Sequence, residues 1–411
     1  MIRAFFVEGL NGKTSVYESQ MRSDLNLITG KNGSGKTTLL KLMWYMLSGN
    51  IEKIAPEVQF DKAYLETDDF VLILIAKSRD EKKVISELEW IYKPRHGSTR
   101  TDSERVDGDS FQSINLLIAH HGGSSFFFPT FRRIEGGFSM GADQSRRHHR
   151  GLMYYHDLNE VQSALDSLSN SLSVGSHKLV ASISTNDIVT SLTSQYADIS
   201  ERLNEDHHRL SQELTELMER YRIQTSQSGV DALAAAQDTL KVIQSSVQEQ
   251  SRHQDLLLRP FTALGELIRS VFTHRGIEVT ARITLGDTRA AIASDKLSAG
   301  EKQMLSFLVY NAFSSNSVIF IDEPEISLHV DWQRQLMELL MSQGTKNQFI
   351  VATHSPFIYA PYADREIIVD KDRGDSMVQF PNYLGEKCLC LHLMQARSYL
   401  CFKKPTCLQC W

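Results

Sequence analysis

The spacing of apolar positions changes several times along the chain, and each change predicts a different kind of element. IRAFFVEGL, TSVYES and DLNLIT carry alternating or continuous apolar residues around a turn at Asn11-Gly12, which predicts three strands. GKNGSGKTTLLKLMWYML follows as a glycine loop opening a helix. VLILIAK and VISELEWIY alternate and are β-branched, so they predict antiparallel strands with one covered face. The polar stretch KPRHGSTRTDSERVDGDS after them reads as an exposed loop.

From Tyr155 to Phe272 the pattern becomes helical, with interruptions. Leu192, Tyr196, Ile199, Leu203, Leu210, Leu214, Leu217 and Tyr221 recur at spacings of three, four or seven, with one register shift after Leu203. Leu233, Ala236, Leu240, Ile243 and Val247 repeat the pattern beyond a break at TSQSG. A helical hairpin with arms of about 30 residues, roughly 45 Å, is expected, either packed on the rest as a lobe or protruding as an interaction arm. Strand signals return after His274 in GIEVTARITL and RAAIAS. They lead into LSAGEKQMLSFLVYNAF, the apolar strand SVIFIDEP, the helix DWQRQLMELLMSQG and the strand QFIVATHSP. Apolar strands alternating with helices predict an α/β core. The fold class expected is α/β, with a split sheet core and an inserted helical hairpin.

Composition narrows this picture. With 411 residues, 41% of them hydrophobic, the chain can bury two ordinary cores or one core and a long insertion, which excludes fibrous and disordered classes. It has no run of about 18 apolar residues and no signal-peptide pattern at its start, so a cytoplasmic protein without a membrane partner is expected. The net charge of −6 argues against a surface that coats nucleic acid throughout. Residues 155–272 hold sixteen acidic and nine basic side chains, whereas Arg132 to Arg150 holds five arginines, His148 and His149 against Glu135 and Asp143. That basic stretch is either a nucleic-acid contact or a solvated loop.

The candidate chemistry begins at Gly30-Lys31-Asn32-Gly33-Ser34-Gly35-Lys36-Thr37-Thr38, which follows an apolar strand and opens a helix, as a phosphate-binding loop requires. Gly30, Asn32, Gly33, Ser34 and Gly35 let successive N–H groups face a phosphate, with Thr38 in the first helical turn. Lys36 is expected on the β- and γ-phosphates of ATP and the Thr37 hydroxyl on Mg²⁺. VIFID presents Asp322 and Glu323 at a strand end, Asp322 as the Mg²⁺ carboxylate and Glu323 as the base that orients or deprotonates the attacking water. Ser298, the Gly300 backbone and the helix beginning near Glu301 make a second anion-binding terminus.

Leu297-Ser298-Ala299-Gly300-Glu301 resembles the Leu-Ser-Gly-Gly-Gln signature of ABC-type ATPases, with Ala299 and Glu301 as departures. The resemblance implies two subunits packed head to tail, each offering Ser298 to ATP held at the other's Lys36. It also makes His354 the γ-phosphate-sensing switch histidine and Glu325 to His329 a dimer-contact loop. Where transporter-type members carry a glutamine after apolar-Pro, this chain has FFFPTFRR, with Thr130 or an arginine at that place, which implies slow hydrolysis or a different trigger. The soluble branch of SMC, Rad50, RecF and OLD ATPases is the nearest in organisation. That branch implies ATPase blocks at 1–150 and 273–380 around a helical insertion at 151–272.

VEGLNGK, ITGKNGSGKTTLLKLMWYMLSGNIE and FFFPTFRRIEGGFS look like the PtuA family of Septu and retron-linked anti-phage systems. That likeness implies a separate HNH nuclease subunit as partner, with retron reverse transcriptase and its msDNA, or DNA, as further ones. A DNA-repair ATPase of RecF or Rad50 character and a non-hydrolysing nucleotide sensor are the alternatives. Asp370 and Asp372 are the only late carboxylate pair and read as a strand-end turn, so the chain is not expected to be a nuclease. The five cysteines all fall in the tail, 381–411: Cys388, Cys390, Cys401, Cys407 and Cys410. They suit either a zinc site or an altered end that replaces a longer family C-terminus.

Overall fold

In the computed structural model the described residues are 1–13, 16–79, 82–93, 103–106, 112–130, 133–134, 165, 167–183, 185–227, 232–271 and 298–369. The basic stretch from 135 to 150, the strands expected between His274 and Leu297, Asp370, Asp372 and the cysteine tail lie outside them. The strands run β1 (Ile2–Glu8), β2 (Val16–Gln20), β3 (Leu25–Thr29), β4 (Lys62–Thr67), β5 (Phe70–Arg79), β6 (Lys82–Tyr92) and β7 (Ser103–Val106), then β8 (Ser125–Phe128), β9 (Arg133–Ile134), β10 (His177–Leu179), β11 (Ser182–Ile183), β12 (Val318–Asp322), β13 (Gln348–Ala352) and β14 (Glu366–Ile368). The helices used below are α1 (Lys36–Ser48), α2 (Ile51–Glu57), α3 (Gln112–His121), α4 (Thr185–Gln227), α5 (Ala232–Val271), α6 (Ala299–Ala312), α7 (Val330–Ser342) and α8 (Pro356–Tyr359).

One sheet, ordered β2-β1-β4-β5-β6-β7, is antiparallel; a second, ordered β10-β8-β12-β13-β3-β14, is parallel throughout. Gln348, fully buried, joins them: its side chain accepts from Ile2 N–H at 2.8 Å and donates to the carbonyls of Ile2 and Arg22, each at 2.7 Å. The fold is therefore α/β with a parallel sheet whose strands come from both ends of the chain, and it carries a long helical pair between them. Alternate residues of the parallel strands face two cores. Ile28, Phe127, Val318, Phe320, Ile350 and Ala352 pack with α1 and the antiparallel sheet. Leu25, Leu27, Phe128, Ile319, Ile321, Phe349 and Val351 pack with α6, α7 and the base of the α4–α5 pair. Strands covered on both faces explain the unbroken apolar runs VIFID and FIVA.

Two local expectations are corrected. Ser103–Val106, read as loop, pairs antiparallel with β6, Val106 opposite Leu88. The helical reading of the stretch after Tyr155 also fails at β10 and β11, which pair parallel with β8 and β9. Strands of two to four residues are too short to carry a period, and only their neighbours define them.

The helical pair is longer than expected, 43 and 40 residues, or about 65 and 60 Å at 1.5 Å per residue. Its base is buried through Ile188, Leu192, Phe261, Leu264 and Ile268. The stripe on α4 matches the apolar spacing, but α5 is rotated: Ala236, Thr239, Ile243, Ser246 and Gln250 are half-buried, whereas Leu240 is 64% exposed and Val247 46%. Polar cross-helix pairs set that register, Gln250 to His207 at 3.0 Å and His253 to Asp206 at 2.9 Å.

A buried polar chain anchors the far edge of the parallel sheet. The Trp44 indole N–H donates to Ser125 Oγ at 3.1 Å, Ser125 Oγ lies 2.7 Å from His177 Nδ1, and His177 Nε2 lies 3.0 Å from the Ala119 carbonyl. A carbonyl only accepts, so Nε2 carries the proton and Nδ1 accepts from Ser125. Burial pushes the His177 pKa down to about 4, against the smaller opposing effect of the Ala119 carbonyl. A folded pKa below the unfolded one means that the unfolded chain takes the proton first. Stability is therefore full above the unfolded value and falls as the pH drops from near 6.5 toward 4. At pH 5 the expected loss is about 2 kcal/mol. Denaturant titrations at pH 7 and pH 5 should show that slope in the wild type and its loss in His177→Gln.

Candidate functional site

Parallel strands place their C-terminal ends along one edge of the sheet, and four of them carry the candidate residues. In register, Phe128 lies beside Ile321, Asp322 beside Ala352 and Ala352 beside Ile28. Each strand then releases a loop into the same crevice: Thr130 after β8, Glu323 after Asp322 at the end of β12, Thr353 and His354 after β13, and the glycine loop after β3. Such an edge is where open α/β sheets bind ligands.

The glycine loop turns tightly into α1. Gly35, the residue before the helix, has φ 103°, and a Cβ there would meet Asn11 Nδ2 at 3.3 Å, so an L side chain is unfavourable on both counts. Asn32 and Gly33 are exposed, Thr37 and Thr38 half-buried, and Ser34 buried with no hydrogen-bond partner for its hydroxyl among the described residues. Lys36 is buried and folds back over the loop: Nζ donates to the carbonyls of Gly30 at 3.2 Å and Lys31 at 3.1 Å, and lies 2.6 Å from His354 Nε2. Burial lowers its pKa, opposed by the charges of Glu323, Asp322 and Glu325. A desolvated ammonium beside an unsatisfied hydroxyl and a helix N-terminus is an arrangement that an anionic phosphate completes.

Asp322 is fully buried and accepts a hydrogen bond from the Thr130 hydroxyl. Thr130, which with the following arginines is a candidate for the place where the resemblance puts a glutamine, thus reaches the buried carboxylate. Glu323 sits at φ 47° with its N–H on the Ala352 carbonyl at 2.8 Å and its Oε1 3.5 Å from His354 Nε2. Burial raises its pKa, helped by the negative charges of Asp322 and Glu325 and opposed by His354 and Lys36. A carboxylate of raised basicity beside the Lys36 ammonium is equipped to take a proton from water. The hydroxyl and carboxylate oxygens of Thr37 and Asp322 are hard donors of the kind Mg²⁺ takes, and a buried carboxylate calls for a positive partner, so these residues fit that ion.

Ser298 and Gly300 come from a different element, the start of α6. Ser298 caps α6, which packs on the face of the sheet opposite α1. Its Oγ accepts from Glu301 N–H at 3.4 Å while Glu301 Oε2 accepts from Ser298 N–H at 2.7 Å, a capping box that accounts for the glutamate in the signature. Gly300 lies against the loop after β12: a Cβ there would be 2.4 Å from the Ser327 carbonyl oxygen, so only glycine allows the approach. Three contacts were not legible as site features. Gln303 donates to the Pro324 carbonyl at 2.8 Å, and Glu325 accepts from both Thr353 and His354.

Among the described residues no helix is long and apolar enough to cross a membrane. The chain is 38% identical over 63 residues to the Endonuclease GajA of Bacillus cereus (strain VD045), a stretch that is 14% of this chain and 11% of that protein. It is similar to the Smc head domain with an extended coiled coil bound to the C-terminal domain of ScpA derived from Pyrococcus furiosus, at 14% identity and a TM-score of 0.38, covering 96% of this chain and 99% of that one. It is also similar to the SmcHead bound to the C-winged helix domain of ScpA, at 11% identity and a TM-score of 0.37, covering 88% and 91%. Residues 25–360, well over half the chain and spanning the glycine loop, Asp322, Glu323 and His354, match the family model "AAA domain, putative AbiEii toxin, Type IV TA system". The chain belongs to that family of AAA-type ATPase domains.

Proposed function

We propose that this chain hydrolyses ATP as a head-to-tail homodimer and that its nucleotide state controls a partner nuclease in anti-phage defence, in the manner of the PtuA family beside an HNH subunit. The observation that carries the ATPase reading is the meeting of Lys36, Asp322, Glu323 and His354 at one end of the parallel sheet. In this reading Gly30, Asn32, Gly33, Ser34, Gly35, Lys36, Thr37 and Thr38 hold the phosphates, and Thr37 and Asp322 hold Mg²⁺. Bound Mg²⁺ supplies charge neutralisation at the phosphates. Glu323 takes the proton of the attacking water, and His354 exchanges its contact with Lys36 for one with the γ-phosphate.

The dimer is supported by the placement of α6: its cap, Ser298, is on the sheet face opposite α1, so a γ-phosphate at Lys36 is better met by the Ser298 of a second copy. The head would then include β10 and β11, which fall inside the expected insertion 151–272 but pair with β8 and β9, and the arm that meets other proteins would be the α4–α5 pair. The stretch shared with an endonuclease favours a nuclease-linked role over DNA repair. We assign the cutting to a partner because no upstream acidic cluster completes a metal-dependent nuclease site with the late carboxylates Asp370 and Asp372.

Mixing variants tests the dimer. Lys36→Ala and Ser298→Arg should each be inactive alone. Their mixture should regain part of the wild-type phosphate release, because one of the two shared sites is then intact. A mixture as inactive as its components would exclude the shared site.

A further inference from the structure

We propose that Glu325 is a positioning residue that aims His354 at the phosphate-binding lysine, an inference that rests on the ATPase reading of the site. After β12 the chain turns through Glu323 and closes back, with Ile326 N–H on the Glu323 carbonyl at 3.3 Å and Leu328 N–H on the Glu325 carbonyl at 3.1 Å. That turn delivers the Glu325 side chain to the end of β13. Its Oε1 accepts the backbone N–H of His354 at 2.6 Å, and its Oε2 accepts the Thr353 hydroxyl at 2.9 Å.

One carboxylate gripping two consecutive residues fixes the direction in which the imidazole leaves the backbone. The grip is braced from the other side, because Thr353 N–H donates to the Ile28 carbonyl at 3.1 Å, just before the glycine loop. Ser355 N–H donates to Thr353 Oγ1 at 3.0 Å, and the Ser355 hydroxyl donates to Gln333 Oε1 at 2.6 Å. Gln333 in turn donates to the Leu328 carbonyl at 2.9 Å. The loop from Glu323 to His329 and the segment from Thr353 to Ser355 are therefore one hydrogen-bonded body. His354 is held by it with Nε2 2.6 Å from Lys36 Nζ and 3.5 Å from Glu323 Oε1. Because the exposed Ile326 and Ser327 belong to the same loop, whatever presses on them reaches His354 through Glu325.

The test compares the full chain with Glu325→Ala, Glu325→Gln, Thr353→Val and Thr353→Ser. Four quantities are read: kcat and KM for ATP, ADP affinity without turnover, melting temperature, and the rate at which diethyl pyrocarbonate modifies His354 relative to the exposed His329. Glu325→Ala should lower kcat by about 10-fold or more, on the scale of losing an aligned catalytic contact, while KM and ADP affinity stay within about twofold. His354 should react several-fold faster, and His329 as before. Glu325→Gln should fall between, since one oxygen still accepts. Thr353→Ser should match the wild type and Thr353→Val should not.

Wild-type kcat and His354 reactivity in Glu325→Ala would overturn the proposal, as would a fall in ADP affinity that accounts for the whole loss. If Glu325→Ala does not fold, wild-type behaviour of both Glu325→Gln and Thr353→Val overturns it equally. A wild-type chain that releases no phosphate would instead sink the ATPase reading. The modification rates would still report whether Glu325 holds His354.

Discussion

Lys36→Ala is expected to lose ATP affinity by about 100-fold, since charge-assisted contacts to phosphate are worth ~1.5–3 kcal/mol each and this ammonium is placed to make more than one. Phosphate release should fall with it. The cause is local. The Lys36 ammonium is buried, burial disfavours its charge, and its partners are the two loop carbonyls and His354. A triphosphate offers that ammonium full negative charges in their place, so nucleotide binding relieves a cost already present in the fold. Removing the charge removes that cost too, so the melting temperature without nucleotide should stay level or rise. Fluorescent-nucleotide titration and a thermal melt measure both. Unchanged affinity, or binding lost together with stability, would mean that the glycine loop is a structural turn.

Glu323→Gln is expected to lower kcat by about 10²–10⁴-fold, the range a positioned general base contributes, while leaving ATP affinity near that of the wild type. Glutamine keeps the shape and the backbone contact to Ala352 but cannot take a proton. If the dimer forms on ATP and separates after hydrolysis, this variant should stay dimeric in ATP, which sizing at fixed nucleotide concentration reads directly. The pH dependence has a definite sign. Burial and the nearby Asp322 and Glu325 raise the Glu323 pKa, so wild-type turnover should be lost on acidification at a higher pH than an ordinary glutamate would give. Wild-type turnover in Glu323→Gln would transfer the base to another group. Retained ATP-driven dimerisation without any wild-type turnover would make the chain a nucleotide sensor.

Much of this was legible in the residues alone. The glycine loop between an apolar strand and a helix, the apolar strand ending in Asp322-Glu323, and the serine that opens α6 are local patterns, because a glycine turn, a buried strand and a helix cap are each decided by neighbours in sequence. The α/β class followed for the same reason, as strands covered on both faces have no polar alternation to conceal them.

Tertiary structure decided what depends on neighbours far along the chain. The short strands β7, β10 and β11 exist because a partner edge supplies their hydrogen bonds. The rotation of α5, which leaves Leu240 and Val247 outside, follows from polar pairs to His207 and Asp206 more than forty residues away. The contact of Thr130 with Asp322 and the grip of Glu325 on Thr353 and His354 likewise join loops from strands that become adjacent only in the folded sheet. Sequence alone picked out the candidate side chains, since that is a matter of residue type and local turn. Only the order of the parallel strands decided which of them meet, because that order is set by packing between segments that no local spacing connects.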